Sequence, residues 1–178
     1  MSPVSCPPRS DGCSSVLARD LLYKIDVPGL NEEWERRTLI GVLIVTHGRF
    51  GEALLEAAGM ISRGTEGARA LGFLPGQGVE DLDAIVRSTL AEMGLDDILF
   101  LVDLPGGSPA RVVAGLVGEN PSLEALAGVN LPMLVEVLLL RDSLGTHQLA
   151  KHAAQSGHQG IVDIGALLRS ELAKGGQQ

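Results

Sequence analysis

The feature that most constrains the fold is an apolar run, Leu39 to Val45, which contains one glycine and ends in Thr46-His47-Gly48. Its length and β-branched content predict a strand buried on both faces, as in a parallel sheet. A helical pattern begins at Glu52, so the chain has to turn sharply at Gly48. Ligands of open α/β sheets bind beyond the carboxyl ends of the strands, which makes His47 a candidate functional residue.

The rest of the chain continues this alternation of strand and helix patterns. Further strands are predicted over 68–74, 98–102 and 123–129, with a short fifth candidate over 160–164. Helices are predicted over about 52–62, 78–93 and 109–117, from Pro132 onward, and over 146–156. This order predicts an α/β fold: a doubly wound, mostly parallel sheet of four to five strands with helices on both faces.

The composition of the chain divides it into three parts. Residues 1–37 are rich in Ser, Pro and charged residues, and we expect a disordered leader or an over-extended reading frame there. Residues 38–170 are predicted to form one folded domain, since a chain of 178 residues suits a single domain. Residues 171–178 are rich in Gly and Gln and are expected to be a flexible tail.

Charge and composition exclude several function classes. The net charge is −8 and no basic cluster occurs, which argues against binding to nucleic acid or to anionic membrane surfaces. There is no apolar run of membrane-spanning length and no signal-peptide pattern, so we expect a cytoplasmic protein. Cys6 and Cys13 lack the further ligands of a zinc site, and we predict neither a metal nor a cofactor.

A second polar residue is predicted to lie beside His47. Asp103 directly follows the apolar strand 98–102, and strands one and three are often neighbours at the switch point of a doubly wound sheet. A carboxylate there can accept the proton of one imidazole nitrogen and leave the other nitrogen with a free lone pair. The pair therefore predicts a nucleophile or a general base. An isolated Asp at this position is more often a turn residue or a helix cap.

The stretch Gly106-Gly107-Ser108-Pro109 is predicted to open the next helix. Ser108 suits the N-cap and Pro109 the first helical position, an interpretation that needs no function. The exposed amides of such a helix start also attract anions such as a phosphoryl group. Neither of the usual nucleotide-binding glycine motifs is present. The remaining histidines do not share one helical face and are interpreted as surface residues: His147, His152 and His158.

Three motifs in this order resemble one known family. The segments THG, LVDLPGGSP and AGVNLPMLVEVLLLRD look like the IIA domain of the mannose-type sugar phosphotransferase system (PTS). The resemblance extends from about Leu39 to Ile164. Two features differ from the family pattern: Leu104-Pro105 stands where an aromatic or polar pair is common, and the leader over 1–37 has no counterpart. A IIB domain is also expected to be a separate protein.

The resemblance implies a phosphoryl carrier. His47 would accept a phosphoryl group on Nε2 from the histidine-containing phosphocarrier protein, HPr, and pass it to a IIB protein, in indirect association with membrane IIC and IID components. Asp103 would hydrogen-bond Nδ1, while Ser108 and the amides of Gly106 and Gly107 would hold the phosphoryl oxygens. These are the site residues that the sequence predicts.

A homodimer is also expected. The candidate strand over 160–164 is short, and an uncovered sheet edge favours pairing with a second chain. The resemblance implies the same assembly, with this last strand exchanged between subunits. Gly157 and Gly160 would provide the hinge for that exchange.

The sequence leaves three other functions open. A dihydroxyacetone-kinase phosphotransfer subunit looks similar around its first-strand His, although the GGSP and NLPM motifs favour the sugar system. A hydrolase of the histidine-phosphatase type would need an Arg where Thr46 stands, together with a second active-site His. A purely regulatory phosphoprotein would share the same motifs. The sequence therefore does not distinguish a transport role from a regulatory one, and it does not identify the sugar.

Overall fold

A computed structural model describes residues 39–62 and 64–175. Strands and helices alternate along most of this range, as the sequence predicts. The elements are β1 (Gly41–His47), α1 (Phe50–Gly59), β2 (Ala68–Phe73), α2 (Val79–Met93), β3 (Ile98–Val102), α3 (Ser108–Glu119), β4 (Leu123–Ala127), α4 (Leu131–Leu140), α5 (Thr146–Gln159) and α6 (Ile164–Gly175). None of the helices in these two ranges is long and apolar enough to cross a membrane.

The four strands form one parallel sheet in the order β2-β1-β3-β4. The predicted neighbourhood of strands one and three is therefore confirmed. Val45 of β1 pairs with Val102 of β3, so the two strands reach the carboxyl edge of the sheet at the same level. The residues that follow, Thr46-His47 and Asp103, consequently meet at that edge. This is the switch point of the sheet, where the chain leaves β1 and β3 toward opposite faces.

Two apolar layers cover the sheet, and the side chains of β1 alternate between them. Val42 and Ile44 pack under α1, α4 and α5, whereas Leu43 and Val45 pack under α2 and α3. All four side chains are fully buried. Burial of an aliphatic side chain of this size stabilises the fold by about 1.5–3 kcal/mol, which explains why an unbroken apolar run forms the central strand. The predicted doubly wound α/β architecture is confirmed.

The predicted fifth strand is wrong for the single chain. Helix α5 continues to Gln159 and α6 begins at Ile164, so no strand forms over 160–163. The two glycines that were expected to act as a hinge have ordinary backbone angles and lie at close contacts instead. A Cβ on Gly157 would be 2.9 Å from Cε of Met133, and a Cβ on Gly160 would collide with the ring of Pro132. Both glycines therefore allow α5 to pack closely on α4.

The structure describes only part of the two ends of the chain. Residues 171–175, expected to belong to a flexible tail, form the last part of α6. Residues 1–38 and 176–178 lie outside the described residues, and with them the predicted leader and the two cysteines.

Helix α1 begins at Phe50 and ends at Gly59, somewhat earlier than the predicted range of 52–62.

Candidate active site

His47 and Asp103 form a closely bonded pair at the carboxyl edge of the sheet. The imidazole Nδ1 lies 2.9 Å from Oδ2 of Asp103, and the backbone amide of His47 donates to the same oxygen, also at 2.9 Å. The other carboxylate oxygen, Oδ1, accepts from the amide of Leu104 at 2.8 Å. The side chain of Asp103 is 14% exposed and that of His47 is 44% exposed. The carboxylate is thus held by three donors, while the imidazole faces the solvent.

The protonation state of Asp103 determines which imidazole nitrogen is free. Partial burial, the largest single influence, raises the pKa of Asp103, but the hydrogen bonds from the His47 amide, the His47 ring and the Leu104 amide together hold it below its usual value. The carboxylate is therefore ionised near neutral pH and can only accept hydrogen bonds. Nδ1 must then carry the proton, which leaves Nε2 of a neutral His47 with its lone pair.

The imidazole ring also has two close neighbours besides Asp103, Phe73 and Gly107. Phe73, at the end of β2, makes an edge-to-face contact with it, with ring centroids 6.1 Å apart. The backbone of Gly107 also lies close: a Cβ there would be 2.8 Å from Cε1 and 3.4 Å from Nε2 of His47. The start of α3 is consequently placed beside the nitrogen that carries the free lone pair.

The glycine-serine stretch begins α3 one residue earlier than predicted. Gly107 is the N-cap and Ser108 the first helical residue, so the prediction of Ser108 as the N-cap is wrong and Pro109 occupies the second helical position. Gly106 has a φ of 84°, which a glycine adopts without strain. The Ser108 side chain is half-buried and makes no hydrogen bond to any residue within 39–62 or 64–175. Its hydroxyl thus remains available at the helix start.

Two further residues position the loop after β1, and the sequence analysis did not identify them. The hydroxyl of Thr46 is buried and accepts from the amide of Gly51 at 2.8 Å, which joins the strand end to the start of α1. A Cβ on Gly72 would collide with the carbonyl of Gly48, so β2 tolerates only glycine at that position. A glycine inside a strand pattern is the one signal in the sequence that points to such a close approach.

The other histidines lie away from this pair. His147, His152 and His158 are exposed on α5, as the sequence predicts. Nδ1 of His147 lies 2.9 Å from Oε1 of Glu124 on β4. Within the described ranges, no three His, Cys, Asp or Glu side chains are grouped so that they could hold a metal ion.

Comparisons with known proteins point to one family. The family model described as "PTS system fructose IIA component" matches residues 41–154. The PTS fructose-specific EIIA component of Bacillus subtilis is 35% identical over 122 residues, which are 68% of this chain and 84% of the relative. The PTS mannose-specific EIIAB component of Escherichia coli K12 is 36% identical over 129 residues, or 71% of this chain. This chain spans only 40% of that longer relative.

Solved structures give the same result. The crystal structure of PTS component EIIA from Streptococcus agalactiae superposes with a TM-score of 0.66 at 30% identity, covering 71% of this chain and 98% of that one. The mannose/sorbose-specific IIA subunit from Enterococcus faecalis superposes with a TM-score of 0.65 at 28% identity, covering 71% and 96%. The similarity thus extends over nearly the whole length of both solved chains.

Proposed function

This chain belongs to the family of mannose-type IIA components of the sugar phosphotransferase system, and we propose that it carries its phosphoryl group on His47. Proteins of this family are phosphoryl carriers with a phosphohistidine intermediate, so the chain is a phosphotransferase component. The observation that carries the proposal is the hydrogen bond from His47 Nδ1 to the ionised carboxylate of Asp103 at 2.9 Å. It leaves Nε2 as the nucleophile.

The proposed reaction is a displacement at phosphorus. The lone pair of His47 Nε2 forms a bond to the phosphorus of a phosphorylated donor, while the bond from phosphorus to the donor's nitrogen breaks and its electron pair returns to that nitrogen. The product imidazolium carries its positive charge next to Asp103, and the ionised carboxylate stabilises it. No proton has to leave Nε2 during the step, because Nδ1 already holds the only ring proton.

The phosphoryl oxygens are proposed to bind at the start of α3. A Cβ on Gly107 would lie 3.4 Å from Nε2, so the space beside the nucleophile depends on that residue being glycine. The amides of the first helical turn lack partners within the helix and carry the positive end of the helix dipole. Gly106, Gly107 and Ser108 therefore supply donors where negative charge collects.

The partners follow from the family. We propose that phosphorylated HPr is the donor and that a IIB component is the acceptor, acting in the cytoplasm together with membrane IIC and IID components. The comparisons do not favour the dihydroxyacetone-kinase subunit, the histidine-phosphatase-like hydrolase or the purely regulatory phosphoprotein. The hydrolase is also unsupported by the site, because Thr46 is buried and bonded to Gly51 where that chemistry needs an exposed Arg.

We further propose a homodimer held together by the segment after α5. Six large apolar side chains in this part of the chain are mostly exposed: Ile161, Val162, Ile164, Leu167, Leu168 and Leu172. Strand β4 is an edge of the sheet with no further strand paired to it among the described residues. An open edge and an uncovered apolar segment in one chain favour pairing between two copies.

The first test is phosphorylation by the purified system. Incubation with phosphoenolpyruvate, enzyme I and HPr should add the mass of one phosphoryl group to the protein. The adduct should be labile in acid and stable in alkali, as a phosphohistidine is. The variants His147→Ala and His152→Ala are the matched controls, because both residues are exposed histidines away from the site. Phosphate retained by a His47→Ala protein would contradict the proposal.

A further inference from the structure

A cleft of about 390 Å³ lies at the amino edge of the sheet, opposite the edge that carries His47. Its wall is formed by Leu39 before β1, by the loop before β2 and by the end of α4. Strand β1 has seven residues, and at about 3.3 Å per residue its length places the cleft roughly 20 Å from His47. A volume of this size is typical of a small-molecule site, and the proposed phosphoryl transfer does not use it.

The cleft contains a buried arginine whose guanidinium has no partner. Arg141 directly follows α4 and is 5% exposed. Its side chain makes no hydrogen bond or ion pair within residues 39–62 and 64–175, and its Nη1 is the one buried side-chain nitrogen or oxygen there without a hydrogen bond. The backbone of Arg141 is fixed, since its amide donates to Val137 at 3.0 Å and its carbonyl accepts from the amide of Ile40 at 3.4 Å. The guanidinium is thus held at the cleft by bonds to both α4 and the start of β1.

Burial distinguishes Arg141 from the other cations that lack a carboxylate partner. Arg49, Arg111 and Lys151 also make no ion pair among the described residues, but all three are exposed, so water hydrates them. A buried donor without a hydrogen bond carries the full cost of its lost hydration. The negative end of the α4 dipole favours a cation at Arg141, but it does not replace hydrogen bonds. A ligand that accepts from the guanidinium would supply them.

Two carboxylates, those of Glu66 and Asp142, lie in the wall of the same cleft. Burial lowers the pKa of Arg141, and the charges of Glu66 and Asp142 oppose that effect, so both carboxylates interact electrostatically with the guanidinium. Asp142 accepts from the hydroxyl of Ser143 at 3.0 Å. Glu66 makes no hydrogen bond or ion pair in the part of the chain that the structure describes, and its carboxylate lies against Gly64, where a Cβ would collide with it. The cleft therefore holds one cation and two anions.

The rest of the wall is mainly apolar. Leu39 is partly buried, Leu138 is 8% exposed and Leu139 is 44% exposed. A simple anion would be attracted by the arginine and repelled by the two carboxylates, and a simple cation would meet the reverse. A ligand that carries both charges and an apolar group matches all three parts of the wall.

We propose that this cleft binds a small apolar α-amino acid as a zwitterion. The ligand carboxylate accepts from the guanidinium of Arg141, whose planar fork suits two parallel hydrogen bonds to a carboxylate. The ligand ammonium donates to the carboxylates of Glu66 and Asp142, and the ligand side chain packs against the leucines. This inference goes beyond the proposed function and does not depend on it, because the cleft and His47 lie at opposite edges of the sheet.

Isothermal titration calorimetry of the full chain with L-leucine, L-valine, L-methionine and L-phenylalanine tests the cleft. At least one of them should bind with a Kd of about 1 mM or tighter. For the tightest of the four, the analogue without the ammonium and the analogue without the carboxylate should each bind about tenfold or more weakly. Absence of binding by all four would overturn the proposal. An analogue without the ammonium that binds as tightly as the amino acid would also overturn it, because the cleft would then be an anion site.

Substitutions of Arg141 test the contact with the ligand carboxylate. Arg141→Met should weaken binding about tenfold or more without lowering the melting temperature, because an apolar group then replaces an unpaired donor. Arg141→Lys should be intermediate, since an ammonium does not form the two parallel hydrogen bonds. His47→Ala should bind the amino acid like wild type, which separates a failure of this proposal from a failure of the proposed function.

Substitution of Glu66 tests the contact with the ligand ammonium, and it alters an exposed residue, so it remains informative if Arg141→Met does not fold. Glu66→Gln should weaken binding of the amino acid but not binding of its analogue without the ammonium. Glu56→Gln makes the same change in a separate groove between α1 and β2 and should bind like wild type. Undiminished binding in Glu66→Gln or in a folded Arg141→Met would overturn the proposal, and so would an equal loss with Glu56→Gln.

Discussion

At the scale of single residues, one carboxylate oxygen organises the site. Oδ2 of Asp103 accepts from both the amide and the imidazole of His47, each at 2.9 Å. The ring is therefore fixed relative to its own backbone, and its tautomer is fixed by the charge of the acceptor. Hydrogen bonds to an ionised group contribute about 1.5–3 kcal/mol each, enough to hold one orientation of a half-exposed side chain.

Replacing Asp103 by Asn should leave the fold intact and slow phosphoryl transfer. The Asn amide can donate to Nδ1 and so stabilise the tautomer with the proton on Nε2, which has no lone pair for attack. Loss of such an orienting partner costs about 10- to 10⁴-fold in rate or affinity. Single-turnover transfer from phosphorylated HPr measures the effect, with circular dichroism as the control for folding. Transfer as fast as wild type would mean that Asp103 is only a turn residue.

The same residue predicts a pH dependence of stability. The pKa of Asp103 is lower in the native protein than the value of about 3.9 expected in the unfolded chain. The unfolded state therefore binds the proton first, and stability from this group is present above about pH 5 and is lost as the pH falls through the native pKa. The difference in unfolding free energy between wild type and Asp103→Asn should shrink over that range. A difference in unfolding free energy that stays constant down to pH 3 would contradict this prediction.

At the scale of elements, the sequence predicts the buried strands and the pairing of β1 with β3, but not the close contacts between elements. The apolar runs of β1 and β3 identify buried strands, and parallel order then brings His47 and Asp103 together. The close approach of Gly72 to the carbonyl of Gly48 depends on the β1–β2 register, which no local pattern reveals. The start of α3 at Ser108 rather than Pro109 is an error of one residue, the usual uncertainty of helix ends.

The predicted fifth strand failed for a related reason. Ile161 and Val162 have the β-branched character of a strand, but no strand in the described part of the chain pairs with them. A strand requires a partner for its backbone, whereas a helix satisfies its own hydrogen bonds. In the single chain α5 therefore continues to Gln159, where Gly157 packs against Met133. The side-chain pattern of one segment does not indicate whether a second molecule supplies the strand that would pair with it.

Two glycine substitutions test the packing between elements. Gly72→Ala should lower the unfolding free energy by about 1–3 kcal/mol, because the new methyl group collides with the backbone of Gly48 and shifts the turn that follows His47. Gly115→Ala is the matched control: it lies within α3 with no atom within 4 Å of the added Cβ. It should raise stability by up to about 1 kcal/mol. Denaturant titration measures both, and equal effects of the two changes would be inconsistent with the close approach.

At the scale of the whole molecule, the apolar segment after α5 predicts the assembly. Light scattering should give a dimer for the full chain at micromolar concentration. Ile161→Asp/Val162→Asp should give monomers, because two charges would then replace apolar side chains that are 78% and 56% exposed in the single chain. Leu139→Asp is the control, since Leu139 is an exposed apolar residue of α4 outside this segment. A monomeric full-length protein would contradict the proposed homodimer.

If His47 is the phosphoryl carrier, as proposed, its two hydrogen bonds to Asp103 also limit the order in which the donor and the acceptor can bind. The backbone amide and the ring Nδ1 of His47 both bond to Oδ2 of Asp103, so the ring is held in one orientation and presents Nε2 at one place. Donor and acceptor must each come to the same point, so they exclude one another and take turns. A donor protein that has transferred its phosphoryl group but is still bound then blocks the acceptor. In the proposed mechanism, slow dissociation of either partner would therefore slow the turnover of the carrier.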